Sequence, residues 1–168
     1  MDIFIINTDK ADSVPTELLN KFGYKNFSND KKNVIHKFTY LMLDRILKEF
    51  YKIQNYSLVF EKNKPMLSTN EKYFSISHSG EYIVLAFSDH KCGVDIEKIK
   101  TRNYTKIAAR KGFKSASLKE FYFDWTKYEA EYKLCVKSKT SFQYEFPEYV
   151  LTAVSINQDE TTEIYYNL

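Results

Sequence analysis

Glycine, proline and cysteine are scarce in this chain: 168 residues carry four glycines, three prolines and two cysteines. So little glycine and proline argues against long flexible linkers. Cys92 and Cys135 give neither a disulfide framework nor a metal-ligand spacing. They are expected to be free thiols in a reducing cytoplasm. No apolar run reaches membrane-spanning length, so no membrane partner is expected. The apolar run Ile3 to Ile6 is too short for a signal peptide and has no basic segment before it, so it is read as a first strand. A P-loop, a dinucleotide-binding glycine fingerprint and a Gly-x-Ser-x-Gly elbow are all missing. Any phosphate binding must therefore rest on side chains, and a serine hydrolase is a poor fit.

Aromatic residues are plentiful, with 14 tyrosines and 13 phenylalanines. Many fall at helical spacing, which marks them as core. A net charge of +3 is too small to argue for nucleic acid, even with interleaved stretches such as Tyr104-Thr105-Lys106. The charge is unevenly spread. Lys98, Lys100, Arg102, Lys106, Arg110, Lys111, Lys114 and Lys119 follow one another with no acidic residue between them. That segment is either a solvated face or a docking surface for an acidic partner.

Hydrophobic periodicity predicts a strand at Ile3 to Ile6 and a long helix starting near Asn29 or Asp30, with Ile35, Phe38, Met42, Ile46 and Phe50 buried. A strand follows at Tyr56 to Phe60, broken by a turn at Lys64-Pro65. Strands at Tyr73 to Ser77 and Tyr82 to Phe87 flank a hairpin turn, Ser79-Gly80-Glu81. A strand from Gly93 to Glu97, a short helix over Thr105 to Lys111 and a long helix from near Ser117 come next. The apolar stripe of that last helix is Leu118, Phe121, Trp125, Tyr128, Tyr132 and Cys135. Terminal strands at Tyr149 to Ile156 and Glu163 to Tyr166 complete an α+β chain. Its two similar α/β lobes, 1–90 and 91–168, pack edge to edge as one compact unit.

Three groups of residues carry chemistry. Asp95 and Glu97 lie two apart on a strand, so they face the same way. They are either solvent-facing acids or a pair neutralised by a hard cation. Glu129 and Lys133 share a helix face, as an ordinary surface ion pair or as part of a site with the lysine on a phosphate. His78, between Ser77 and Ser79, ends an apolar strand in a polar tip suited to phosphate.

Taken in order, these motifs resemble the Sfp-type 4′-phosphopantetheinyl transferase family. The matching stretches are Lys64-Pro65, Phe74-Ser75-Ile76-Ser77-His78-Ser79, Gly93-Val94-Asp95-Ile96-Glu97 and Trp125-Thr126-Lys127-Tyr128-Glu129-Ala130-Glu131-Tyr132-Lys133. The resemblance implies the fold of that family, with coenzyme A in a cleft between pseudo-symmetric lobes. It implies a holo-[acyl-carrier-protein] synthase type of activity. The 4′-phosphopantetheine group would pass from coenzyme A to a serine of an acidic acyl or peptidyl carrier protein, releasing 3′,5′-ADP. Asp95, Glu97 and Glu129 would hold Mg²⁺ or Mn²⁺, and Glu129 would also act as base. Lys133 and His78 would offset phosphate charge. Lys64, Pro65 and Ser77 would line the adenine end, and Lys31, Lys32, His36 and Lys37 would lie near the 3′-phosphate. The protein would act as a cytoplasmic monomer. Three positions depart from the pattern: Tyr128 replaces a lysine, Asn63 a glycine and His36 an arginine. The alternative is a catalytically weakened relative that binds coenzyme A.

Overall fold

The computed structural model describes residues 1–15, 17, 31–61, 64–69 and 71–166. Strand β1 (Asp2–Asn7) has four consecutive buried residues because it is covered on both faces. It pairs antiparallel with β5 (Tyr82–Ser88) and parallel with β9 (Glu163–Tyr166). With β4 (Tyr73–Ser79) these strands form a sheet in the order β4-β5-β1-β9. A second sheet has the order β6-β8-β7, from β6 (Cys92–Lys98), β7 (Thr140–Phe146) and β8 (Tyr149–Ser155). The small hairpin β2 (Leu58–Glu61) and β3 (Lys64–Leu67) stands beside them. Lys64-Pro65 therefore lies inside a strand rather than in the turn expected of it. A two-stranded hairpin consists only of edges, where proline's missing N–H costs no ladder bond.

Helix α1 (Lys31–Arg45) covers one face of the first sheet, with Phe38, Met42, Leu43 and Ile46 against Phe4, Leu85 and Phe87. Its expected start at Asn29 or Asp30 lies outside the described residues. The chain continues from α1 into a π-helical turn, Ile46–Phe50, closed by a bond from Tyr51 N–H to the Ile46 carbonyl. The wider turn rotates the end of the helix. Leu47 is buried and Phe50 is 41% exposed, although the stripe put Phe50 inside.

The opposite face of the first sheet (Ile3, Ile5, Val84, Ala86) packs on Val94, Ile96, Leu151 and Ala153 of the second. Beyond the second sheet lie α2 (Thr105–Lys111) and α3 (Leu118–Leu134). The layers run helix, sheet, sheet, helix, a mixed α+β arrangement. Ser117 caps α3 by accepting from Glu120 N–H, and the Glu120 carboxylate accepts from Ala116 N–H. No described helix is long and apolar enough to cross a membrane.

The two sheets also meet edge to edge, where β4 lies alongside β6. Three serines on alternate positions of β4 replace a backbone ladder. Val94, Ile96 and Lys98 N–H donate to the hydroxyls of Ser75, Ser77 and Ser79 at 3.1, 3.3 and 3.0 Å. At the hairpin tip, Gly80 has φ of 58°, which glycine tolerates without strain. Tyr149 and Lys98 hold Glu81 there, and this double contact pulls the Glu81 carboxyl down to about 2.

Candidate functional site

The serine seam places the acidic pair. Ser77 Oγ donates to Asp95 Oδ1 at 2.8 Å, and Ser79 Oγ donates to Glu97 Oε2 at 3.0 Å. Each hydroxyl thus accepts from the backbone of β6 and donates to a β6 carboxylate. Asp95 is buried and Glu97 half-buried.

Gly93 brings α3 onto this strand. A Cβ there would run into the carbonyl oxygen of Ala130, so only glycine permits the approach. Where α3 approaches Gly93 the inward position is small, Ala130. Tyr122, Thr126, Ala130 and Leu134 are buried along with Phe121, and Thr126 shares a 2.7 Å hydrogen bond with Thr152. The expected stripe holds at Phe121, which is fully buried, but its later aromatics turn outward. Tyr128 is 37% and Tyr132 73% exposed. Counting hydrophobic side chains favoured the aromatics, but close backbone approach selects small residues instead.

With that rotation, Trp125, Glu129 and Lys133 form one row at spacings of four, facing β6. Lys133 Nζ donates to Asp95 Oδ1 at 2.7 Å and to the Val94 carbonyl at 3.0 Å. At the other end of the row, the Trp125 side chain lies near enough to the Glu97 carboxylate to favour its charged form. Glu129 stands between them, half-buried, with no ion pair or side-chain hydrogen bond among the described residues.

Burial pushes the Glu97 carboxyl above its ordinary range. The Ser79 hydroxyl opposes the shift and the nearby Asp95 charge adds to it. Asp95 Oδ2 is buried and has no hydrogen-bond partner. Mg²⁺ takes one or two protein carboxylates together with waters and substrate phosphates. An orphaned carboxylate oxygen beside a second, reluctantly ionised carboxylate is a donor set of that kind. Among the described residues, no three His, Cys, Asp or Glu side chains converge as a ready-made cluster. Glu129 lies on α3, which packs against the strand that carries the pair.

The remaining candidates fall around this row. His78 lies at the exposed end of β4, on the face that carries Phe74 and Ile76. It is electrostatically coupled to His36 of α1, whose ring meets Tyr40 edge-on at 4.9 Å. Burial, then His78, lowers the His36 pKa. Lys37 is buried. Lys64 Nζ donates to the Lys133 carbonyl at 2.7 Å, a cation at the C-terminal turn of α3, and burial lowers its pKa. Pro65 pairs opposite Phe60. Lys31 and Lys32 open α1, and their side chains lie outside the described residues.

In the basic segment, Lys98 pairs with Glu81 and Glu148, and Lys119 with Glu145. Lys100, Lys106, Arg110 and Lys114 are exposed. Three participants were not singled out from the sequence: Ser79 as a carboxylate partner, Trp125 on Glu97, and Arg102, which helps stabilise the Glu97 charge. The period-two serines of β4 were a usable signal, since an alternating strand shows one hydroxyl face and one apolar face.

The chain matches no family model. Part of it is similar to the 4′-phosphopantetheinyl transferase gsp of Aneurinibacillus migulanus, 39% identical over 62 residues. That stretch covers 35% of this chain and 26% of the relative. The chain spans about a quarter of the length of the curated relative that it matches.

Proposed function

We propose that this chain is a 4′-phosphopantetheinyl transferase of the holo-[acyl-carrier-protein] synthase type, with that family's fold. Its substrates are coenzyme A and an acidic acyl or peptidyl carrier protein. Coenzyme A lies in the cleft between lobes 1–90 and 91–168, and the enzyme works as a cytoplasmic monomer. The observation that carries this reading is the orphaned Asp95 Oδ2 beside Glu97, faced by the Trp125-Glu129-Lys133 row. The partial likeness to a transferase of that name supports it.

Asp95 and Glu97, joined by Glu129 from α3, would hold Mg²⁺ or Mn²⁺, and the cation would supply positive charge against the diphosphate. Glu129 accepts the proton of the carrier serine, directly or through a water. The serine oxygen forms a bond to the β-phosphorus, and the bond from that phosphorus to the bridging oxygen breaks. The products are phosphopantetheinyl-serine and 3′,5′-ADP. Ser77 and Lys133 fix Asp95 Oδ1 and so aim Oδ2. His78 offsets phosphate charge at the exposed end of β4.

The test is mass spectrometry of an apo carrier protein incubated with this protein, coenzyme A and Mg²⁺. A gain of one phosphopantetheine, lost with EDTA and with Glu129→Gln, is the expected result. Coenzyme A binding without any gain, across several carrier proteins, would favour the alternative of a weakened binding relative. Tyr128 at the pattern's lysine position motivates that alternative.

A further inference from the structure

The exposed aromatic edge of α3 is capped by a cation from a different element. Lys111, the last residue of α2, places Nζ 3.9 Å from the centroid of the Tyr128 ring and 5.8 Å from that of Trp125. Phe113 packs against Tyr128 at 6.1 Å, and the Tyr128 and Trp125 rings lie 6.1 Å apart. Lys111 is half-buried and makes no ion pair among the described residues. Its ammonium has three donors, and ring faces satisfy only part of that capacity.

Position makes this cation more than a strut. Trp125, under the same ammonium, lies one turn before Glu129 on α3 and beside Glu97, and Tyr128 directly precedes Glu129. Lys111 thus sits over the two rings of α3 that precede Glu129 by one turn and by one residue. Lys133 is already committed to Asp95 and the Val94 carbonyl, and Lys64 to the Lys133 carbonyl. A diphosphate brought to Asp95 and Glu97 needs a cation that is not spent on protein oxygens, and Lys111 meets that requirement.

We infer that Lys111 is a phosphate-binding residue of the coenzyme A site, delivered by α2 and presented on the Tyr128 ring. It supplies the positive charge absent at position 128. This rests on the function proposed above and adds a residue that the motif pattern does not contain.

The experiment compares the parent, Lys111→Ala, Lys111→Arg and the double variant Lys111→Ala/Tyr128→Lys. Coenzyme A affinity is measured by calorimetry, and KM for coenzyme A and for the carrier protein by steady-state kinetics. Loss of one charge-assisted contact to phosphate should weaken coenzyme A binding about tenfold in Lys111→Ala. KM for coenzyme A should rise in step, while carrier KM stays within about twofold. Lys111→Arg should retain binding, and lysine at position 128 should restore most of the loss.

Unchanged coenzyme A affinity in a folded Lys111→Ala protein would overturn the inference. So would a rise confined to carrier KM, or a failure of both Lys111→Arg and the double variant to bind better than Lys111→Ala. A parent that binds no coenzyme A would overturn the functional reading itself, and this inference with it.

Discussion

Lys133 and Asp95 face each other across the join between α3 and β6, with Nζ 2.7 Å from Oδ1 and the two side chains 27% and 9% exposed. The same ammonium also bonds the Val94 carbonyl, so the pair fixes the helix to both the backbone and a side chain of the strand. Removing one partner of such a pair leaves an uncompensated buried charge, a larger effect than losing both. Lys133→Met should destabilise the protein by about 3 kcal/mol. The double variant Lys133→Met/Asp95→Asn should recover at least half of that loss. Urea unfolding at pH 7 measures both, and additive losses would mean that the pair is not coupled.

Gly93→Ala should be among the most damaging single-methyl changes in the chain, at about 2–3 kcal/mol. The added carbon meets the Ala130 backbone rather than a side chain that could swing away. Because α3 would have to lift, Glu129 and Lys133 would move with it, and coenzyme A binding should weaken along with stability. Gly112 is the control. A Cβ there meets nothing within 4 Å, so Gly112→Asn should cost far less despite its φ of 75°. Equal losses in thermal melts of the two variants would contradict this account.

Glu97 sets a pH dependence whose sign follows from its environment. Burial raises its folded-state pKa, with the Asp95 charge adding to the effect. The folded protein therefore holds this proton more tightly than the unfolded chain does, and stability falls as pH rises from the unfolded carboxyl value through the folded one. Glu97→Gln keeps an acceptor oxygen for Ser79. Without divalent cations it should be more stable than the parent at pH 7.5, with the advantage fading toward pH 4. Adding Mg²⁺ should raise the melting temperature of the parent and not of the variant. Parallel stability curves for the two proteins would refute the assignment.

The two thiols should behave oppositely. Cys92 is fully enclosed in β6, and burial pushes its pKa up to about 12, whereas Cys135 is exposed at the end of α3. One thiol per chain should react promptly with a disulfide reagent at pH 8, and the second only on unfolding. Peptide mapping identifies which one reacts first.

Local chemistry was the most legible part of this fold. The hairpin at Gly80 and the start of α3 at Ser117 could be read because glycine and a capping serine act on their immediate neighbours. The facing of Asp95 and Glu97 followed from strand alternation. What escaped depended on partners distant in sequence. The buried face of α3 is decided by Gly93, so Thr126 and Ala130 go inward and Tyr128 outward. Lys64-Pro65 appeared to be a turn because the isolation of its hairpin is a tertiary fact. Lys111 looked like one basic residue among eight until the rings of α3 were found beneath it.

The hydroxyl seam between β4 and β6 has a further consequence, for how the halves of the molecule find their alignment during folding. Its teeth are two residues apart. A slip of one would turn Ile76 and His78 into the join, and the buried Asp95 would lose the hydroxyl that donates to it. That error leaves a buried polar group without its partner, so the chain can distinguish a correct docking of its halves from a one-residue slip. The serines that hold the acidic pair in place therefore also act as a vernier for the assembly of the whole chain.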